Sequence, residues 1–186
     1  MDVNRDSELC GSCHIRGDVT EIDASGGFIQ HHEQYEELYE SKKRVMRCVD
    51  CHNPHQTVKY ADEIDMEPTK TACENCHFNN AEYQKIDDRR HAKCVDCHMP
   101  RVSKSALADE AKFTGDLRTH LMAINPNATS QFSKDGTTSQ PYLALDFACR
   151  SCHSDDGRGP NLEDAVLVEA ATGFHDRDLA GSLNKP

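Results

Sequence analysis

The 186-residue sequence contains no Trp, only 6 % aromatic residues and 37 % hydrophobic residues, and its mean hydropathy is -0.75. So little apolar side chain offsets poorly the ordering entropy of a chain this long, and an ordinary side-chain core is expected to be thin. Either part of the chain is disordered or something other than side chains fills its interior. No segment approaches the roughly 18 apolar residues that cross a bilayer, and Met1 to Asp6 carry no apolar leader segment. A membrane span is not expected. Basic clusters are also scarce: beyond Lys42-Lys43-Arg44 and Arg89-Arg90, acidic residues dominate and the net charge is -11. Nucleic acid and anionic membrane surfaces are therefore poor partners.

Cysteine, by contrast, is plentiful. All ten cysteines fall in Cys-x-x-Cys pairs, each followed at once by histidine: Cys10/Cys13/His14, Cys48/Cys51/His52, Cys73/Cys76/His77, Cys94/Cys97/His98 and Cys149/Cys152/His153. With 11 histidines in the chain, five such coincidences arise by accident on the order of once in a million. Structural zinc draws Cys pairs two at a time and gives no reason for the trailing histidine. A thioredoxin-like pair opens a single helix in a βαβ pattern that is not visible here, and a disulfide framework leaves the histidines unexplained. Cys-x-x-Cys-His is the attachment signature of c-type haem. The thiols add across the two vinyl groups, and the adjacent imidazole reaches the iron as proximal ligand. Five motifs predict five haems c per chain, and the macrocycles are expected to form the core. With a charge of about -1 for each oxidised haem, the holoprotein comes to about -16.

Six histidines remain after the proximal five: His31, His32, His55, His91, His120 and His175. Five irons want five distal ligands, so these are the expected second ligands. His31 and His32 open the segment to Glu40, whose Tyr35, Leu38 and Tyr39 follow helical spacing after Gly26-Gly27. Adjacent helical residues point about 100° apart, so this pair is expected to serve two haems. His55, three residues beyond His52, and His91, three before Cys94 at the end of a helical stretch from Ala81, should each reach a neighbouring haem rather than their own. His120 lies in the 55-residue interval between the last two motif starts, long enough to wrap over the haems. His175 follows an expected helix that starts at Asn161 to Asp164 and stops at Gly173, and it is the first candidate for the surplus histidine. Met46, Met66, Met99 and Met122 are rival sixth ligands, but histidine is sufficient in number.

The motif starts are separated by 38, 25, 21 and 55 residues, with no repeat period. The polar tract 125–141 reads as an exposed loop and carries the sequon Asn127-Ala128-Thr129. The expected fold is one pentahaem domain over residues 1–186, mostly irregular coil with short α-helices and almost no sheet, built around a chain of five stacked haems.

The chain resembles the multihaem c-type cytochromes of bacteria and archaea. The runs His31-His32-Glu33-Gln34-Tyr35, Cys94-Val95-Asp96-Cys97-His98-Met99-Pro100-Arg101, Gly115-Asp116-Leu117-Arg118-Thr119-His120 and Leu145-Asp146-Phe147-Ala148-Cys149 are similar to those of small extracellular members, some of which polymerise into haem-lined filaments. The resemblance implies haem attachment outside the cytoplasmic membrane, hence an extracellular or cell-surface location, with the periplasm as alternative. It also implies a homopolymer with head-to-tail contacts that exchanges electrons with other redox proteins or extracellular acceptors. The Cys-Val-Asp-Cys-His-Met-Pro run is also similar to pentahaem nitrite reductases, whose catalytic haem uses a Cys-x-x-Cys-Lys motif that does not occur here. With histidines enough to close every iron, no open coordination position is expected. The expected function is electron transfer through bis-histidine haems without enzymatic chemistry, as a filament subunit. A soluble shuttle to a terminal reductase and a small reductase with one open haem are the alternatives.

Overall fold

The computed structural model describes residues 4–18, 20–31, 33–56, 69–77 and 92–176. His32, His91, Met66 and the expected helix 81–91 lie outside the described residues. Five short helices are present among those described: α1 (Asn4–Gly11), α2 (Gln34–Glu40), α3 (Cys48–Cys51), α4 (Cys94–His98) and α5 (Asp164–Ala171). Each is at most eight residues long, too short to hold itself together by propensity alone. Local caps and tertiary contacts must fix them. In the two Cys-Val-Asp-Cys-His motifs the Asp does this: Asp50 accepts the backbone N–H of Arg47 at 2.8 Å, and Asp96 accepts that of Lys93 at 2.9 Å. The expected C-terminal helix ends as anticipated, with Gly173 at φ 60° beyond Ala171. Its start differs, because Glu163 stands at the N-cap without a side-chain cap bond.

The expectation of almost no sheet is wrong. Four strands, β1 (Ala24–Ser25), β2 (Phe28–Gln30), β3 (Ser103–Asp109) and β4 (Thr114–Leu117), form one mixed sheet in the order β1-β2-β3-β4. The physical cause of the first pairing was present in Gly26-Gly27. Both glycines take positive φ, 56° and 74°, the combination that a two-residue hairpin turn requires. The turn sets Ala24 opposite Ile29 and Ser25 opposite Phe28. β2 then pairs in parallel with β3, Ile29 opposite Ser103, and β3 turns back antiparallel onto β4 across an irregularity between Ser103 and Ala108. Asp116 stabilises that irregularity. Its carboxylate accepts the backbone N–H groups of Ser105, Ala106 and Leu107 at 2.7 to 3.0 Å, donors that the disrupted ladder would otherwise leave without partners.

A side-chain core also exists, which corrects the expectation that the macrocycles alone fill the interior. Ile22, Phe28, Ile29, Val102, Leu121, Leu143, Phe147 and Ala148 form one buried cluster. Phe147 is its centre: the rings of Phe28, Phe113 and Phe132 meet it edge to face at centroid distances of 5.7 to 5.9 Å. The tract 125–141 is less exposed than expected because Gln131 anchors it. That side chain is fully buried, donating to Ser139 Oγ, Gln140 O and Tyr142 O and accepting from Ala144 N–H. Asn127 and Thr129 of the sequon remain exposed.

Candidate metal centres

Every Cys-x-x-Cys-His motif closes as one tight turn. The histidine N–H donates to the carbonyl of the first cysteine at 2.9 Å in the first and third motifs and 2.8 Å in the second and fifth, and α4 spans the fourth from Cys94 to His98. One turn of i to i+4 geometry brings the first thiol and the imidazole to the same side of the backbone. The fifth motif starts in a π-type turn, Asp146–Arg150. Burial pushes the Cys149 thiol up to about 11, so it is held as thiol rather than thiolate.

The motifs neighbour one another in two groups. α1 packs against α3, Cys48 N–H donates to Ser7 Oγ at 3.3 Å, and the Cys10 thiol is raised by burial and by its hydrogen-bonded neighbour Cys48. Cys51 is raised by burial and by the nearby Cys73. The first three motifs thus adjoin through the second. α4 likewise packs against the turn at Asp146–Arg150, and Arg158 spans the fourth and fifth motifs, 3.4 Å from Cys152 Sγ and 3.9 Å from Asp96. The segment after β4 is tied to the fourth motif. Arg118 donates to Val95 O and Met99 O, both at 2.9 Å, and pairs with Asp96 at 3.1 Å. Sequence reasoning passed over Arg118, although it stands in the same run as His120.

Two histidine pairs face each other. His52 and His120 have ring centroids 5.9 Å apart at an interplanar angle of 45°, and His98 and His175 are 5.8 Å apart at 20°. An imidazole nitrogen lies about 2 Å from a metal it ligates, with the ring centre about 1 Å behind, so two rings bracketing one ion have centres about 6 Å apart. Both pairs fit that spacing. His175, the first candidate for surplus, is therefore placed beside His98, an expected proximal ligand. Among the described residues no group of three or more His, Cys, Asp or Glu converges on a point where a bare ion could sit. Four of the described histidines meet in twos.

The second ring nitrogens support the same donor set. His98 Nδ1 lies 2.8 Å from Met122 O, and His153 Nδ1 lies 2.9 Å from Pro160 O. A carbonyl only accepts, so each Nδ1 carries the proton and leaves Nε2 as a lone-pair donor, the usual arrangement behind a metal-bound histidine. Met122 adopts φ 58°, uncommon for a residue with a β-carbon, and the reversal there turns its carbonyl to His98 two residues after His120. His14 Nδ1 stands 3.2 Å from Gln34 Oε1. His52 differs, because its Nδ1 is buried without a hydrogen-bond partner. Burial, with the neighbouring His120 and His14, lowers its proton affinity and keeps the ring neutral.

Three further expected ligands have polar neighbours or solvent around them. His31 lies beside Arg16, whose Nη1 is 2.8 Å from its Nε2, and His77 Nε2 lies 3.3 Å from Lys43 Nζ. His55 is exposed on the turn after α3, where its backbone N–H donates to Asn53 Oδ1.

The acidic face of α2 was not legible from the apolar spacing. Glu36 and Glu37 are buried to 0 % and 1 % exposure, with Glu33 beside them at 1 %. Glu36 accepts the N–H groups of Arg16 and Gly17, fixing the chain that leaves the first motif. Glu33 accepts Asp23 N–H, yet burial and the neighbouring carboxylates push it up to about 8. Comparison with protein-family models, with curated proteins and with solved structures finds no match for this chain.

Proposed function

We propose that this chain is an electron-transfer protein holding five c-type haems. The observation that carries the reading is the five-fold Cys-x-x-Cys-His motif, every copy of which folds as the same closed turn. The paired thiols are the attachment points: Cys10 and Cys13, Cys48 and Cys51, Cys73 and Cys76, Cys94 and Cys97, Cys149 and Cys152. His14, His52, His77, His98 and His153 are the proximal ligands. The spacings of His52 with His120 and of His98 with His175 support assigning His120 and His175 as distal ligands to the second and fourth haems. Bound haem supplies one-electron exchange at iron. At the second and fourth motifs the chain would offer two imidazoles to one iron, with His98 held by Met122 O in the tautomer that leaves Nε2 able to bind, and an iron so closed favours electron transfer over substrate chemistry.

The finer reading is an extracellular subunit that assembles head to tail. It is supported by the adjoining of the first three motifs and by the exposure of His14, Cys73, Cys76 and His77, which leaves the first and third sites near the surface. The test is expression in a host that attaches haem outside the cytoplasm, followed by mass measurement of the intact chain. Five covalently bound haems per chain are expected. A chain that accumulates folded with free thiols, or with zinc, overturns the reading.

A further inference from the structure

We propose that Glu37 is the positioning residue that sets the tautomer and donor strength of His120, and through it the potential of one haem. The inference rests on the reading that His52 and His120 share an iron. Glu37 sits on α2 at 1 % exposure, an expensive place for a carboxylate unless donors surround it. Two donors from distant segments do so. Ser103 Oγ at the start of β3 donates to Oε1 at 3.0 Å, and the backbone N–H of His120 donates to Oε2. The same Oε2 lies 3.7 Å from His120 Nδ1, a ring atom that is itself buried and has no hydrogen-bond partner. A small rotation of the imidazole closes that gap.

The consequences follow from the acceptor. A proton on Nδ1 facing the carboxylate leaves Nε2 unprotonated on the side of the ring toward which a metal binds. An anionic partner draws that Nδ1 proton more strongly than a neutral carbonyl does, which makes Nε2 the more basic ligand. The fourth and fifth motifs use neutral carbonyls, Met122 O behind His98 and Pro160 O behind His153. A more basic axial ligand favours ferric over ferrous iron, so the Glu37 charge should hold the midpoint potential of the haem of the second motif lower than it would stand without that charge.

The experiment is a redox titration of the holoprotein followed by electron paramagnetic resonance, on wild type, Glu37→Gln, His120→Met and the double variant. Glu37→Gln can keep its one amide oxygen toward the His120 N–H, with its NH2 then donating to Ser103 Oγ, and it removes the charge. It is expected to raise the midpoint of one haem and shift that haem's low-spin signal, leaving the other four in place. His120→Met should displace the same haem, and the double variant should match His120→Met alone. If Glu37→Gln fails to yield holoprotein, Ser103→Ala reads the same contact in the opposite sense, because a carboxylate with one donor fewer pulls harder on Nδ1 and lowers that midpoint. Unchanged potentials and signals in both Glu37→Gln and Ser103→Ala, with His120→Met still displacing one haem, overturn the proposal for Glu37. A His120→Met variant that leaves every haem unchanged overturns instead the assignment of His120 as a ligand.

Discussion

His175 lies as close to His98 as His120 does to His52, so replacing it with Met is expected to perturb the haem of the fourth motif and no other. A redox titration that finds every haem unaltered in His175→Met returns His175 to the role of a surface residue. At Gly157 the constraint is steric: a β-carbon there would stand 2.1 Å from the carbonyl oxygen of Cys152, a distance no side-chain rotation relieves. Gly157→Ala should therefore distort the turn that carries Cys152 and His153, and the intact mass should show chains with four haems in place of five. Uniform occupancy of all sites in that variant would falsify the argument. At this scale the sequence was most informative about the five Cys-x-x-Cys-His turns, because their spacing is fixed within one turn of the chain. It was least informative about Arg118 and Glu37. Their importance comes from partners far along the chain, Val95 and Asp96 for one and Ser103 and His120 for the other, and no local pattern records such contacts.

The elements that escaped sequence reading are short strands in a chain whose helices are equally short. β1 and β2 hold two and three residues, too few for alternation to register, and β3 reads Ser-Lys-Ser-Ala-Leu-Ala-Asp, with only Ser103 buried. Gly26-Gly27 was the one local signal for the hairpin, and its positive φ values answer to it. The β3–β4 hairpin depends instead on Asp116. Burial works to raise that carboxyl, but the backbone donors of Ser105, Leu107 and Ala106 outweigh it and hold it below the ordinary 3.8. Within that window the unfolded chain binds the proton and the native hairpin does not, so Asp116 stabilises the fold above the ordinary value. The contribution is lost as pH falls through the lowered one. Asp116→Ala should cost roughly 1–3 kcal/mol at neutral pH, the magnitude of removing charge-assisted acceptors from backbone donors. Denaturant unfolding at pH 5 and pH 3 should show a shallower acid loss in the variant than in wild type. Equal losses in both proteins rule Asp116 out as the titrating support.

For the whole molecule the decisive quantity is charge. A chain at -11 reaches about -16 with five oxidised haems, so copies repel unless something stronger than charge pairing joins them. Among the exposed side chains are apolar ones, with Leu9 on α1 80 % exposed and Val45 74 % exposed. If subunits assemble head to tail, a contact whose rotation does not close extends into a helical filament, and its stability should come from apolar burial and any ligand crossing the interface. Raising the ionic strength from 0.01 M to 1 M contracts the screening length from about 30 Å to about 3 Å. An interface built on salt bridges weakens over that range, whereas one built on burial between acidic subunits persists or tightens. Sedimentation and electron microscopy of the holoprotein at both salt concentrations should therefore show filaments throughout, no fewer at 1 M than at 0.01 M. Particles that sediment only as monomers or closed dimers, with every haem ligated inside one chain, leave a diffusing electron shuttle as the function that the same ligand geometry serves.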